Sequence, residues 1–382
     1  MGLRMDFELS EELKMIQSLA RDFVVSELKP LERDLLGRSA DLSDARASVT
    51  SEVEAGLIDK ARAAGLWGAS VPEEFGGAGL GTLANCVIEE ELAQTIVPFD
   101  LGDVTPILFD CDQNQRARYL TPALNHEKAV YVALAEPGRP EVNAMRAAAR
   151  KDTGGYVLNG VKVSLARQRE DYCAVVFAVA GRDRSPTCFL VDAGSIGFDL
   201  QVLGHSTTGK ASMLLTFKEC PAPEANRIGA EGKAFSLGRK WLPSRRIVRG
   251  ARTVGTAERL LQEASTRAQT TKSFGRDVSE RPSIRAAVAD IVTEIHACRL
   301  LVYEAALRAD DGKSITNESA MVKLFASRML KSVNDKVAHI YGGPGAITGQ
   351  GTCVTMPYVG DWSPDELQAD ILSRQILKGL KI

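Results

Sequence analysis

Four arginines, Arg245, Arg246, Arg249 and Arg252, crowd one short stretch, and helical spacing puts Arg245, Arg249 and Arg252 on a single face at i, i+4 and i+7. Guanidinium forks match planar oxyanions, so this face suits a phosphate or an acidic acyl group. It also suits a solvated surface or a contact between subunits. The second group with chemistry in it is "DWSPDELQADILSRQ", Asp361 to Gln375. Ser363 is a good N-cap, Pro364 fits the first helical position, and Glu366 completes a capping box. Asp365 and Glu366 are thereby accounted for as capping groups, and Asp361 precedes the cap. Beside it stands Trp362, whose indole N–H can only donate.

Metal chemistry finds little support. The four histidines do not pair at ligand spacing, and His126, His205 and His296 read as isolated structural or surface residues. The seven cysteines are scattered, odd in number and never spaced C-x-x-C, which argues against zinc and against a disulfide framework. "EEFGGAGLG" has neither a preceding strand nor G-K-[ST], so it reads as a turn for close helix packing rather than a phosphate loop.

The elements that must position these groups fall into three blocks. Residues 1–128 read as helical: Leu13, Ile16, Ala20, Phe23, Val24 and Leu28 recur at three- and four-residue steps until Pro30, where a stop is expected. "SEVEAGLIDKARAAG" and "TLANCVIEEELAQTI" continue the pattern. Residues 129–235 change texture: "KAVYVALAE", "GYVLNGVKVSL", "DYCAVVFAVAG", "PTCFLVDA" and "SMLLTFKEC" are short and β-branched, and Asn159-Gly160 is the strongest hairpin signal. Helical periodicity returns over 236–382, at about 236–270, 281–310, 316–341 and 363–380. The chain has 382 residues, enough for these blocks to pack as one body. A net charge of −2 without long like-charge runs gives no footprint for nucleic acid or anionic lipid, and no stretch approaches the length of a membrane span. The start of the chain is charged and lacks an apolar signal core, so a cytoplasmic location is expected.

"LSEELKMIQSLARDFVVSELKPLE", "GLWGASVPEEFGGAGLG", "YVLNGVKV", "NRIGAEGKAF", "TKSFG" and "HIYGGPG" resemble, in order and over nearly the whole chain, the recurring segments of the acyl-CoA dehydrogenase family of flavoproteins. The resemblance implies an α+β fold: an N-terminal helical bundle, a middle β-barrel domain and a C-terminal four-helix bundle. It also implies FAD, an acyl-CoA substrate, an oligomer, and removal of hydrogen from the α and β carbons of the thioester. In that family the base is the first Glu of E-G-T-S-x-I-Q. Aligning Glu366 to Gln368 with the end of the string puts Trp362 there, with Asp361 the nearest replacement. Some members carry the Glu on an earlier helix, just before an arginine. Here Arg245 takes that position and Arg246 the arginine, a substrate contact by resemblance.

Cofactor contacts carried over in the same way are Leu134 and Ala135 in "LAEPG", Ala166 at the end of the K-x-W-I-T segment, Lys272 and Phe274 in the R-K-x-F-G string, and Gly342 with Gly343. The hydroxyls expected at Ala135 and Ala166 and the arginine expected at Thr271 are missing. Each lost charge-assisted contact would cost roughly 1.5–3 kcal/mol. The resemblance therefore supports two partners for this chain besides the substrate. It is either a working dehydrogenase that assembles as a dimer or tetramer of its own kind, or a non-catalytic subunit completing the oligomer of a paralogous chain. A reaction on acyl-CoA that needs no α-proton base is a third possibility.

Overall fold

The computed structural model describes residues 8–38, 49–138, 144–205, 210–273 and 275–342, together with 368, 369, 372, 373 and 377. Helix α1 (Glu11–Phe23) starts at Ser10, whose hydroxyl accepts from Leu13 N–H at 3.3 Å, with Glu11 and Glu12 in the first turn where the dipole favours them. Pro30 does not stop the chain. A π turn over Val24–Leu28 and a 3-10 turn over Lys29–Leu31 change the bonding pattern around the missing N–H, and α2 (Glu32–Arg38) follows directly. Helices α3 (Ser51–Ala63), α4 (Thr82–Leu92), α5 (Gln113–Gln115) and α6 (Thr121–Leu124) complete this part of the chain.

Eight strands then form one sheet: β1 (Ala129–Ala133), β2 (Ala148–Asp152), β3 (Gly155–Ala166), β4 (Tyr172–Ala180), β5 (Ser185–Asp192), β6 (Phe198–His205), β7 (Ala211–Pro223) and β8 (Arg227–Ile228). Their order is β6-β7-β3-β2-β4-β5-β8, with β1 beside β4; only β1 and β2 run parallel to β4. Asn159-Gly160 is not a hairpin turn. The chain reverses five residues earlier, at Asp152 to Gly155, and Asn159-Gly160 makes a bulge inside β3 against β7. Asn159 Oδ1 accepts from Glu219 N–H at 2.9 Å and its Nδ2 donates to Glu219 Oε1 at 2.6 Å. Gly160 has φ +149°, and a Cβ there would stand 2.6 Å from that of Ala147. The local hairpin signal thus yields to the long β3–β7 ladder.

Three long helices follow: α7 (Leu242–Thr270), α8 (Pro282–Asp310) and α9 (Thr316–Tyr341). The stretch 236–241, expected to be helical, precedes α7 as turns, and a small ribbon of β9 (Lys272–Ser273) with β10 (Arg276–Asp277) interrupts the helical block. The residues described in the last expected helix are helical, and Gln368 is buried; the caps proposed at 363–366 lie outside the described residues. Leu28, Ile58 and Leu92 belong to a core between α1, α3 and α4, Tyr131 and Phe189 to one under the sheet, and Ile247, Val302 and Val333 to one among α7, α8 and α9. Cys86, Cys111, Cys173, Cys188, Cys220 and Cys298 are buried free thiols. No helix among the described residues is long and apolar enough to cross a membrane.

Two features fix α4 against the long helices. Its N-terminus follows Gly81, which offers no capping side chain; Asp310, at the end of α8, accepts from Thr82 N–H at 2.6 Å and Leu83 N–H at 2.9 Å instead. A Cβ on Gly81 would lie 2.9 Å from Asp310 Oδ2, so the glycine makes room for the borrowed cap. At the other contact, a Cβ on Gly255 of α7 would meet the Glu90 carbonyl oxygen of α4 at 2.0 Å. Gly255→Ala therefore has to push two backbones apart. It is expected to lower stability by about 1–3 kcal/mol, whereas Gly56→Ala, on α3 with open space around it, should raise it by about 0.5–1 kcal/mol. Denaturant unfolding of both variants checks the contrast, and equal effects would contradict the close approach.

Candidate active site

Helix α4 carries Glu89, Glu90 and Glu91 in succession, and a helical step of about 100° sends them in three directions. Glu91 accepts from Arg21 of α1, at 3.1 Å from Nε and 2.7 Å from Nη2. Glu90, buried, accepts from Arg299 Nε at 2.7 Å and from the Tyr303 hydroxyl at 3.0 Å, both on α8. Burial pushes the Glu90 carboxyl pKa up, and Arg299 only partly offsets this. Glu89 accepts from Arg252 Nη1 of α7 at 2.7 Å. That third direction opens onto a cavity.

The cavity holds about 800 Å³ and lies between α4, the segment 95–103, α7, α9 and the end of β3 at Leu165. The arginine face of α7 turns into it: Arg245, Arg246, Arg249 and Arg252 all line the wall. The face thus lines a cavity, with Arg249 exposed at it. Arg245 donates to the Asp103 carboxylate and to the Val104 carbonyl, while the Ser70 hydroxyl donates to Asp103 Oδ1 at 3.1 Å. Lys210 lies at the same wall, and buried Lys323 enters from α9. Partial enclosure, with the charges of Arg252 and Arg249, lowers the Lys210 pKa despite Asp100. Asp310 reaches the cavity while capping α4.

The adjoining edge of the sheet holds the residues expected on the flavin side. Lys162, fully buried in β3, donates to the Leu134 carbonyl at 3.0 Å and to Glu136 Oε1 at 3.0 Å. Burial works against the Glu136 charge, but Arg146 and Ala147 N–H groups and Lys162 hold its pKa below the ordinary value. Ala135 bridges to Val163, whose N–H donates to its carbonyl at 2.9 Å. Leu134 and Ala135 are thereby pinned to β3, the strand that ends at Leu165 and Ala166 beside the cavity.

Lys272 and Gly342 stand elsewhere, at the far end of α7. Gly342 ends α9 with φ +66° and open space where a Cβ would be. Tyr341 packs under the Arg267 guanidinium at 5.4 Å, and Arg267 Nε is buried without a hydrogen-bond partner among the described residues. Exposed Lys272 and Arg276 flank the ribbon that follows α7. This cationic end suits a diphosphate. Phe274, Gly343, Asp361 and Trp362 lie outside the described residues.

The sequence reading missed Glu89, Asp103, Asp310 and Lys323. Two signals were present: three acids in the otherwise apolar "CVIEEELA" cannot all face water, and Lys323 falls on the apolar face of Ser319, Val322 and Ala326. Nothing local marks Asp103. His126, read as isolated, is a structural group with Nε2 3.3 Å from Glu54 Oε1 and its ring edge-on to Trp67; His296 is exposed as expected. Among the described residues no group of three or more His, Cys, Asp or Glu could hold a metal ion.

Residues 10–127 match the family model of the acyl-CoA dehydrogenase N-terminal domain, and residues 235–379 that of the acyl-CoA dehydrogenase C-terminal domain. The chain is 31% identical over 356 residues to the mitochondrial short-chain specific acyl-CoA dehydrogenase of Rattus norvegicus, covering 89% of this chain and 83% of the relative. It is 28% identical over 403 residues to (R)-benzylsuccinyl-CoA dehydrogenase of Thauera aromatica, covering 98% and 97%. The fold matches butyryl-CoA dehydrogenase from Megasphaera elsdenii with a TM-score of 0.80 at 24% identity, over 98% of this chain and 100% of the other.

One wall of the cavity is held from α3. Arg167 donates to Glu54 Oε1 at 2.7 Å, and Arg169 lies 3.9 Å from Oε2. Burial alone would raise the Glu54 pKa, but His126, Arg167 and Arg169 overcome it and hold the carboxyl down at about 2, against an ordinary value near 4.5. A depressed carboxyl pKa stabilises the fold above its ordinary range and loses that contribution as pH falls from about 4.5 towards 2. Glu54→Gln should therefore lower stability by about 2 kcal/mol at pH 7, and the gap to the parent protein should close on acidification. Urea unfolding at pH 7, 4 and 3 measures it, and a gap that widens towards pH 3 would contradict the assignment.

Proposed function

The chain belongs to the acyl-CoA dehydrogenase family, and from that premise we propose that it is a flavoprotein acting on the α,β carbon–carbon bond of an acyl-CoA thioester. The observation that carries this reading is the 800 Å³ cavity, bounded by α4, α7 and α9 and reached by the end of β3 at Leu165, the strand to which Ala135 is bridged. It is large enough for an acyl group with part of its pantetheine arm. The chemistry that FAD would supply here is a hydride acceptor for the β carbon.

The residues present fit FAD in two separate sets. Leu134, Ala135 and Ala166 offer a small, pinned surface to the ring, short of the two hydroxyls the family supplies. Gly342, Lys272 and the unpartnered Arg267 Nε offer an open backbone and positive charge to the diphosphate. Phe274 and Gly343 belong to the same phosphate-side proposal by resemblance. Helix α7 spans 29 residues, about 44 Å at the helical rise, and the two sets sit towards its opposite ends. One FAD would then touch the ring set of one subunit and the phosphate set of another, which favours a homo-oligomer.

For the α proton we assign a carboxylate on the α7 wall. Arg245 occupies the family's alternative base position and cannot accept a proton, but its guanidinium holds Asp103 beside that position. Two hydrogen bonds do not exhaust the acceptor capacity of the Asp103 carboxylate, and Asp103 lines the cavity. Asp361 is the second candidate, from its place next to Trp362, and Arg246 the substrate contact.

The purified protein is expected to be yellow and to lose its flavin colour anaerobically on addition of its acyl-CoA substrate. Asp103→Asn should slow that reduction by about 10²-fold or more while retaining flavin. Normal reduction in Asp103→Asn together with loss in Asp361→Asn would move the role to Asp361. A folded, colourless protein that takes up no added FAD would instead make the chain a non-catalytic partner subunit.

A further inference from the structure

We propose that the cavity takes an acyl group bearing its own carboxylate, so that the preferred substrate is the CoA thioester of a short dicarboxylic acid, read by Arg249, Arg252 and Lys323. This rests on the acyl-CoA reading above and adds the substrate class to it. Among the described lining residues, Arg167, Lys210, Arg245, Arg246, Arg249, Arg252 and Lys323 are cations and Glu89, Asp100, Asp103 and Asp310 are acids. Seven against four leaves a formal excess of three positive charges, one of which, on Arg167, is matched by Glu54 from outside the lining. Three of the acids are already engaged: Asp310 caps α4, Asp103 meets Arg245, and Glu89 meets Arg252. Arg249, which is exposed, and Lys323, which is buried, make contacts of their own as well.

A straight apolar acyl chain would strip water from guanidinium groups such as that of exposed Arg249 and return nothing in exchange. A terminal carboxylate replaces that water with charge-assisted hydrogen bonds, while Ala93, Ile96, Val97, Ala326 and Leu330 cover the methylenes. Spacing agrees. Arg249 and Arg252 lie four and seven residues along α7 from Arg245, about 6 and 10 Å from the proposed proton acceptor's anchor. That is the reach of a short dicarboxylic chain with a hydrogen bond at its end. CoA phosphates are the other anions that could use the same cations, but buried Lys323 is set back on α9 beside Ser327 and Leu330, away from water.

Calorimetric titration of the flavin-loaded protein with adipoyl-CoA and with hexanoyl-CoA separates these, because the two share chain length and the whole CoA moiety. Adipoyl-CoA is expected to bind about 10- to 100-fold tighter. Arg249→Leu, and separately Lys323→Met, should erase most of that preference by weakening adipoyl-CoA alone. Equal or tighter binding of hexanoyl-CoA by the parent protein would overturn the proposal and leave the dehydrogenase reading intact. A similar loss of both ligands in the variants would assign the cations to CoA phosphates and also overturn it. Failure of the folded, flavin-loaded parent to bind either thioester would remove the acyl-CoA reading itself. The parent comparison stands even if a variant does not fold.

Discussion

Three adjacent carboxylates on one helix organise this molecule. Glu91, Glu90 and Glu89 of α4 each need a cation, and the helical step delivers them to α1, α8 and α7 in turn. A buried carboxylate without its partner is costly enough that each pair constrains the position of the helix that supplies the arginine. The same helix begins on a glycine and takes its cap from Asp310, more than two hundred residues away in sequence. Its ends and its sides are therefore set by residues of the C-terminal block, although its own sequence belongs to the N-terminal one. The cavity is what remains on the Glu89 side once the other two glutamates have been satisfied.

The chemistry of the site follows from an exchange of charge. In some members of the family the resemblance places a carboxylate on α7, where this chain has Arg245. In the fold that guanidinium gathers a carboxylate from the segment before β1, so the wall recovers an acid from a different part of the chain. Arg249 and Arg252 line the same cavity one and two turns further along α7.

The succession of helices, strands and helices was legible in texture, because periodicity reports which faces are buried. Two local signals misled. Pro30 removes one N–H, but a π turn followed by a 3-10 turn accommodates the loss, so α1 leads into α2. Asn159-Gly160 favours a turn in isolation, yet in β3 the glycine serves a close approach to Ala147 and the asparagine bonds Glu219 across the ladder. At the site, the resemblance located Arg245 and Arg246 but not the direction their helix faces. Asp103 could not be read at all, since its meaning comes from a partner 142 residues distant. Lys323 and the glutamate triplet were visible as polar residues on apolar faces, a pattern that marks paired charge rather than core.

Helix α7 meets α9 and α4 through two glycines. A Cβ at Gly250 would stand 2.3 Å from Val322 Cγ1, and one at Gly255 would overlap the α4 backbone. These contacts leave no slack in the frame around the cavity, and that has a consequence for descent. A lineage built on this scaffold cannot widen its pocket by letting helices drift. It can change only what projects inward, at residues such as Arg249, Arg252, Thr253 and Thr256. Diversification of the fold would then proceed by exchanging side chains on a frame of constant dimensions, with the two glycines as the least mutable letters in α7.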